Sequence, residues 1–522
     1  MPPLSTPPTS PTAASDSPVD RSCPIARVAL GVLFLACALR AIALRGAWYD
    51  EFYTYYLVRP EAPLAQLAPA WLRDNHPPLF YALAWAWGRL IALFDPAPGI
   101  PVLRALNLVI GAGALAGLVH MARTDRWFGR IAPFYAAALA GSFSAIDRID
   151  QLRSYFTSFA LAALILPMLA RVLVDERPGG RRDLWLLAVL SAALSLHLVT
   201  SVILAGVVAG VVVVLVPGRR IGAMLRLSGL SVVAAVPLVA AMAIQLGTIE
   251  SNTRAFWIPS GINAGRWAIE QEFREALLAN PLLAPIAAGG LALILLRSWQ
   301  DRGKPAAPVH ADRRVILALG GGLILALAVL MAIHLRRPIL ITRYLVAVDP
   351  VVALVVALAA ERAVTVILPR RRALAELAVL ATSAVMLFIN LPATLAQPSW
   401  NGTARAIAAI VRSCPETAVH PDMAWNTIPR DTPPRDNRDV VPFAYRHVAT
   451  VYGFRLADPG VVSDHCPNLF WTEHVSDLHP DARTVLQRLI RAGYPLQSGR
   501  MLRIGSGWVL VSPPVPARAT RP

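Results

Sequence analysis

Trp48-Tyr49-Asp50-Glu51 follows the first long apolar run of the chain, and Asp74-Asn75-His76-Pro77-Pro78-Leu79-Phe80-Tyr81 opens the second. Two adjacent carboxylates thus stand at the mouth of one hydrophobic segment, and a histidine stands at the mouth of the next. Ionisable side chains at a membrane boundary are costly unless water, a partner or a ligand meets them. The stretch therefore predicts a chain that enters and leaves a bilayer, and a loop between crossings that carries half of a site.

Composition agrees. The 522 residues are 56% hydrophobic and 16% charged, with a mean hydropathy of +0.53, which excludes an ordinary soluble protein and a disordered one. The formal charge of +17 comes mostly from arginines in short clusters between apolar runs, the pattern of orientation signals and lipid headgroup contacts. A nucleic-acid partner is not expected, because no basic face or stripe accompanies the charge. Cys23 and Cys37 lie at or in the first apolar run, and Cys414 and Cys466 lie in a polar C-terminal region. The second pair could bridge if that region meets an oxidising compartment, but two cysteines alone leave the pairing open.

Residues 1–24 are read as a disordered cytoplasmic tail, rich in Pro, Ser and Thr. A retained first span is expected over about 25–44, and Phe52–Val58 is an aromatic interfacial stretch. Leu64, Leu67, Ala68, Trp71 and Leu72 share one helical face, which predicts a short helix lying in the interface plane. Pro77 disfavours helical geometry at His76, so a helix is expected to begin directly after it. Further apolar runs at 104–122, 131–146, 154–170, 184–198, 199–216, 221–246, 276–296, 315–334, 345–360 and 373–391 give about eleven crossings. Arginine clusters at alternate boundaries mark the cytoplasmic side and leave 147–153, 247–275, 335–344 and the C-terminal region outside with Asp50. A full crossing by 78–94 would upset that parity.

From about residue 392 the composition is that of a soluble domain. Helices are expected over Trp400–Val411 and Arg483–Ala492, with strands over Val448–Phe454, Arg500–Ile504 and Trp508–Ser512. The predicted architecture is an all-α polytopic membrane domain over 25–391, with in-plane helices in its first external loop, plus a small C-terminal external α/β domain over 392–522.

Four motifs in this order, Trp48-Tyr49-Asp50-Glu51, His76-Pro77-Pro78-Leu79-Phe80-Tyr81, Gln151-Leu152-Arg153-Ser154-Tyr155, and Arg343-Tyr344-Leu345 with Pro350, resemble the polyprenyl-phosphate-sugar glycosyltransferases of the C superfamily. The resemblance is to the bacterial branch that includes the lipid A aminoarabinose and galacturonic acid transferases, related to the protein O-mannosyltransferases. It covers the membrane region to about residue 391. It implies a multi-pass protein of the bacterial inner membrane, with active site and C-terminal domain on the periplasmic side. The implied activity moves a sugar from a polyprenyl-phosphate carrier to a hydroxyl of a lipid glycan, polysaccharide or protein, among membrane lipids.

Such a transfer needs a base for the incoming hydroxyl and positive charge for the departing phosphate. Asp50 is the expected general base or acceptor-orienting carboxylate, with Glu51 as its supporting or metal-positioning neighbour. His76, Arg343, Tyr344, Arg336 and Arg337 are the expected contacts to the donor phosphate, because three arginines on the external side run against the positive-inside tendency and arginine suits bidentate phosphate binding. Asp147, Asp150, Arg153 and Tyr155 form a second external cluster. It departs from the family pattern, which places an acid two residues before the arginine where this chain has Gln151, and a self-paired network is an equal reading. The sequence establishes no cofactor and leaves a divalent metal open, which would fall to Asp50, Glu51 and His76. His197 reads as a hydrogen-bonded packing residue near the external end of its span. The rival function is a transporter or flippase of polyprenyl-linked glycans, against which stands the lack of a convincing internal repeat.

Overall fold

The computed structural model describes residues 18–174, 180–216, 220–252, 258–300, 308–422, 435–458, 461–473, 483, 485–487 and 499–515. The chain begins with α1 (Pro18–Leu44), then three short helices, α2 (Tyr49–Val58), α3 (Leu64–Trp71) and α4 (Leu79–Ile91). It continues through α5 (Ile100–Thr124), α6 (Arg126–Gly141), α7 (Phe143–Ile149), α8 (Ser154–Val174), α9 (Arg181–Leu194), α10 (Leu198–Leu215) and α11 (Ile221–Asn252). The membrane region ends with α12 (Ile262–Leu278), α13 (Leu283–Gln300), α14 (Pro308–Arg336), α15 (Val348–Ile367) and α16 (Arg372–Leu395).

Among the described residues, nine of these helices are long and apolar enough to cross a membrane: α1, α5, α8, α10, α11, α13, α14, α15 and α16. The protein is a multi-pass membrane protein. The sequence pattern predicts about eleven crossings; α6 and α9, at 16 and 14 residues, are shorter than these nine. Asp125, at the far end of α5, caps α6 by accepting from the backbone of Trp127 and Phe128, and α6 returns to Ser142, which is hydrogen-bonded to Asp349. Likewise α9 leads from Arg182 back to His197, whose extended backbone (φ −155°) breaks the apolar run and restarts it as α10. By contrast α4 begins and ends on one face. Tyr81 near its start bonds Asp74, while Arg89 near its end donates to the Pro60 carbonyl at 2.9 Å, both partners lying in the same loop.

The helices meet closely because small residues line their contacts. A Cβ on Gly290 of α13 would lie 1.8 Å from the Ala359 carbonyl oxygen of α15, and one on Gly210 of α10 would lie 2.1 Å from the Ala318 oxygen of α14. In lipid, where apolar side chains gain nothing from leaving the solvent, such backbone proximity supplies the packing.

The C-terminal region folds as α17 (Asn401–Ser413) and α18 (Arg435–Tyr452) against a sheet of β1 (Ala418–Pro421), β2 (Asn468–Thr472), β3 (Arg500–Ile504) and β4 (Gly507–Ser512). The strand order is β1-β2-β4-β3, parallel between β1 and β2 and antiparallel elsewhere. Gly505, at φ +58°, turns β3 into β4. Cys414 and Cys466 form a disulfide, which ties the end of α17 to the approach to β2. Trp400, Tyr445 and Trp471 fill the core, with ring centroids 4.7–6.1 Å apart.

Three expectations need correction. The helix begins at Pro18, inside the stretch 1–24 expected to be disordered, since Pro is well suited to a helix start; residues 1–17 of that tail lie outside the described residues. The run 131–146 is not one helix, because Ser142 ends α6 and its side chain caps α7. Val448–Phe454 is no strand: Val440, Val441, Ala444, Tyr445, Val448 and Ala449 are all buried at helical spacing, so the period outweighs the β-branched content. The helix expected over Arg483–Ala492 lies largely outside the described residues.

Candidate active site

Adjacent positions on a helix point about 100° apart, so Asp50 and Glu51 part company in the first turn of α2. Glu51 is wholly buried. Its two oxygens accept from Arg104 Nε (2.8 Å) and Nη2 (2.6 Å), and Oε1 also accepts from the Leu152 backbone (2.7 Å). Arg104 in turn donates to the Arg45 carbonyl at 2.8 Å. Removing one member of such a buried pair leaves the other's charge uncompensated, at a cost of about 3–5 kcal/mol. Arg104→Leu is therefore expected to lower the melting temperature of the detergent-purified protein markedly, with Glu51→Gln falling less because the amide keeps a hydrogen bond to Leu152.

Asp50 faces the other way and stays partly open, its carboxylate oxygen 3.4 Å from Arg343 Nη2. That is long beside the 2.7–2.9 Å of a tight ionic hydrogen bond, so the pair has room to exchange partners. Arg343 lies in the irregular segment between α14 and α15, where Leu345 closes a single 3₁₀ turn. Its guanidinium also sits 4.5 Å from the centre of the Trp48 ring, a cation–π contact that fixes its height above α2.

The loop between α3 and α4 supplies the opposite wall. Buried Asp74 accepts from Tyr53 (3.0 Å) and Tyr81 (2.5 Å) hydroxyls and faces His76 Nδ1 at 3.0 Å. Burial works against its charge, but the His76 imidazole, the Tyr81 hydroxyl and the Arg153 guanidinium outweigh it and hold the carboxyl well below the usual carboxylate range. With Nδ1 turned to Asp74, His76 Nε2 meets Arg153 Nη2 at 3.3 Å. Arg153 Nη1 donates to Thr54 of α2 at 3.0 Å, and Asn107 anchors the arginine's loop by donating to the Ile149 and Gln151 carbonyls. Gln245 of α11 clamps the His76 loop from outside, donating to the Trp71 (3.0 Å) and His76 (2.9 Å) carbonyls.

Aromatic rings close the floor. Tyr344 lies 5.9 Å from Tyr155 and 5.0 Å from His197, and His197 lies 5.9 Å from His76. Burial and the positive neighbours His76, Arg153 and Arg343 push the His197 pKa well below its ordinary value, so the ring is neutral. The Tyr155 hydroxyl, His197 Nδ1 and Trp48 Nε1 are buried without hydrogen-bond partners. Buried polar atoms are nearly always satisfied; three orphans beside two arginines mark the place a polar ligand would complete.

The structure thus brings Asp50, His76, Arg343, Tyr344, Arg153 and Tyr155 to one site. Arg336 and Arg337 stand exposed at the end of α14, with Arg337 facing Glu250 at 3.6 Å. Asp147 and Asp150 form a self-paired network, Arg45 donating to Asp147 Oδ1 (3.1 Å) and Asp150 Oδ1 (2.7 Å), while Arg148 and Gln151 also bond Asp147. Burial pushes the Asp150 carboxyl upward against the pull of Arg45. Asp50, Glu51 and His76 do not fit a metal centre: Glu51 is committed to Arg104, His76 to Asp74 and Arg153, and among the described residues no three His, Cys, Asp or Glu side chains gather to hold an ion.

No protein-family model matches the sequence, and no curated protein does. The structure, however, is similar to the crystal structure of apo ArnT from Cupriavidus metallidurans, with a TM-score of 0.54 over 94% of this chain and 99% of that one at 13% identity. The fold is ArnT-like. A second ArnT crystal structure from the same organism, bound to undecaprenyl phosphate, matches with a TM-score of 0.51 at 15% identity over the same shares of both chains.

Sequence reasoning missed the anchoring roles of Arg45, Arg104 and Gln245, each a lone polar residue inside or beside an apolar run. An intramembrane arginine is itself a signal, and Arg104 carried it. Asp74 stood in the quoted motif without a role, and its spacing from His76 was the clue.

Proposed function

We propose that the protein is a membrane glycosyltransferase that moves a sugar from a polyprenyl-phosphate carrier to an acceptor hydroxyl at the Asp50–Arg343 site. The observation that carries the reading is the 3.4 Å approach of a half-open carboxylate to an arginine contributed from 293 residues away. Asp50 removes the proton from the incoming hydroxyl, whose oxygen attacks the anomeric carbon. The bond from that carbon to the carrier phosphate oxygen breaks, and the phosphate departs with the electron pair. Arg343 and Arg153 receive its charge in a site largely shut off from water, where fixed cations act most strongly. Tyr344, His76 and the unpartnered Tyr155 hydroxyl orient it. Glu51, locked to Arg104, holds the turn of α2 that presents Asp50.

Support for a lipid-phosphate donor comes from the ArnT-like fold together with the undecaprenyl phosphate bound in one of the ArnT structures. The acceptor is a hydroxyl of a lipid glycan, polysaccharide or protein. The protein lies in the bacterial inner membrane, with the site and C-terminal domain in the periplasm and Arg336 and Arg337 at the rim where carrier phosphate approaches. Mass spectrometry of envelope glycolipids and glycans from a deletion strain tests this. One sugar mass should vanish from one acceptor and return on complementation. Loss of a whole glycan from the outer face, with its unmodified precursor retained inside, would instead identify a flippase.

A further inference from the structure

The segment that delivers Arg343 is irregular, and one side chain of the preceding helix gives it its shape. Arg337 makes the last helical hydrogen bond of α14, donating to the Ile333 carbonyl at 2.7 Å. Pro338 follows, which brings no N–H and disfavours helical geometry at the residue before it. The next backbone donors are Ile339 and Leu340, and Leu340 is buried away from water. A buried N–H must find an acceptor. Both donate to a single atom, His334 Nδ1, at 3.1 Å and 3.0 Å. His334 lies in the last turn of α14, so its imidazole folds the chain back onto the helix it has just left. Arg343 stands three residues beyond Leu340, at most about 11 Å of extended chain. Between them the Tyr344 N–H closes onto the Ile341 carbonyl and the Leu345 N–H onto that of Thr342, both at 3.0 Å, which completes the turn that bears the guanidinium.

The ring is itself held in place. His334 is wholly buried, and α12 lies across it: a Cβ on Gly265 would come 2.9 Å from the ring Cδ2 and 2.9 Å from Met331 Sδ. The same helix packs against the Thr342–Tyr344 turn, so ring, turn and covering helix form one unit. An imidazole nitrogen that accepts carries no proton, and the ring is therefore neutral with its proton on Nε2. A leucine would fill the same space at the end of an apolar span, but it would leave two N–H groups without an acceptor and free the segment to take another path.

We propose that His334 is a positioning residue for the carrier phosphate: it touches no substrate, and by accepting from Ile339 and Leu340 it sets where Arg343 meets the phosphate. The inference rests on the donor site proposed above. Asparagine and glutamine separate this role from space filling, because the amide oxygen of Asn is as many bonds from Cα as Nδ1, whereas that of Gln is one bond further, at the distance of Nε2. In the detergent-purified full chain, affinity for undecaprenyl phosphate should stay within about twofold of the parent in His334→Asn and fall about fivefold in His334→Gln. Hydrogen exchange over residues 337–345 should quicken only in His334→Gln. In an Arg343→Ala background His334→Gln should cost no further affinity, since no guanidinium is left to misplace; a merely structural role would show the same loss in both backgrounds. Should His334→Gln fail to fold, Gly265→Ala, which presses a methyl group onto the ring, takes its place with the same expected losses. Parental affinity in His334→Gln, equal losses in the Asn and Gln variants, or an undiminished loss on Arg343→Ala would overturn the proposal and leave the donor site standing. A parent protein that does not bind undecaprenyl phosphate would overturn the donor site and this inference with it.

Discussion

Asp50→Asn should reduce sugar transfer by 10²–10⁴-fold, the range in which a positioned base contributes, while leaving the affinity for polyprenyl phosphate within a few-fold of the parent. The amide has the shape of the carboxylate and still accepts a hydrogen bond from Arg343, so the cation stays near its place. It cannot take a proton from a hydroxyl. Glu51 cannot substitute for it, since both of its oxygens are held by Arg104 and it is buried behind the turn. Measuring turnover beside equilibrium binding of the carrier separates the two effects. Turnover of Asp50→Asn within tenfold of the parent would remove Asp50 from the role of base.

Arg343→Ala should lower turnover by about 10²–10³-fold, the cost of removing one group that stabilises developing negative charge. Unlike Asp50→Asn it should also weaken carrier binding, by at least tenfold, because the phosphate is a ligand before it is a leaving group. Arg343→Lys restores a charge but neither the two-pronged donor nor the flat face that rests on Trp48, so it should recover only part of the loss. Because the two side chains touch, the double variant Asp50→Asn/Arg343→Ala should lose less than the product of the single losses. Strict multiplicativity would mean that they do not work at one centre.

Much of the frame was legible because the bilayer imposes a period and a length. The in-plane α3 was visible in Leu64, Leu67, Ala68 and Trp71, and the break before α10 was placed at 198/199, one residue past its position after His197. The joining of Asp50 with Arg343 followed from their shared side of the membrane together with the resemblance carried by their motifs. What stayed hidden depends on partners remote in sequence. Arg104 reads as a tolerated charge at a span end until Glu51, 53 residues earlier, is seen to meet it. The Asp147–Asp150 pair could not be sorted from the site without Arg45, which reads as an ordinary boundary residue. In the C-terminal domain, Val448–Phe454 was misread because valine and tyrosine favour strands, whereas the buried face of α18 is set by a spacing that begins at Val440, upstream of the misread stretch.

The seat of the C-terminal domain has a mechanical consequence. Trp400 donates its backbone N–H to the Ala47 carbonyl at 3.0 Å and lays its ring 4.9 Å from Phe52, so the turn bearing Asp50 is gripped from above on both sides of the carboxylate. Whatever tilts that domain tugs directly on the turn that bears Asp50. The C-terminal domain is thus a handle on the turn that carries Asp50.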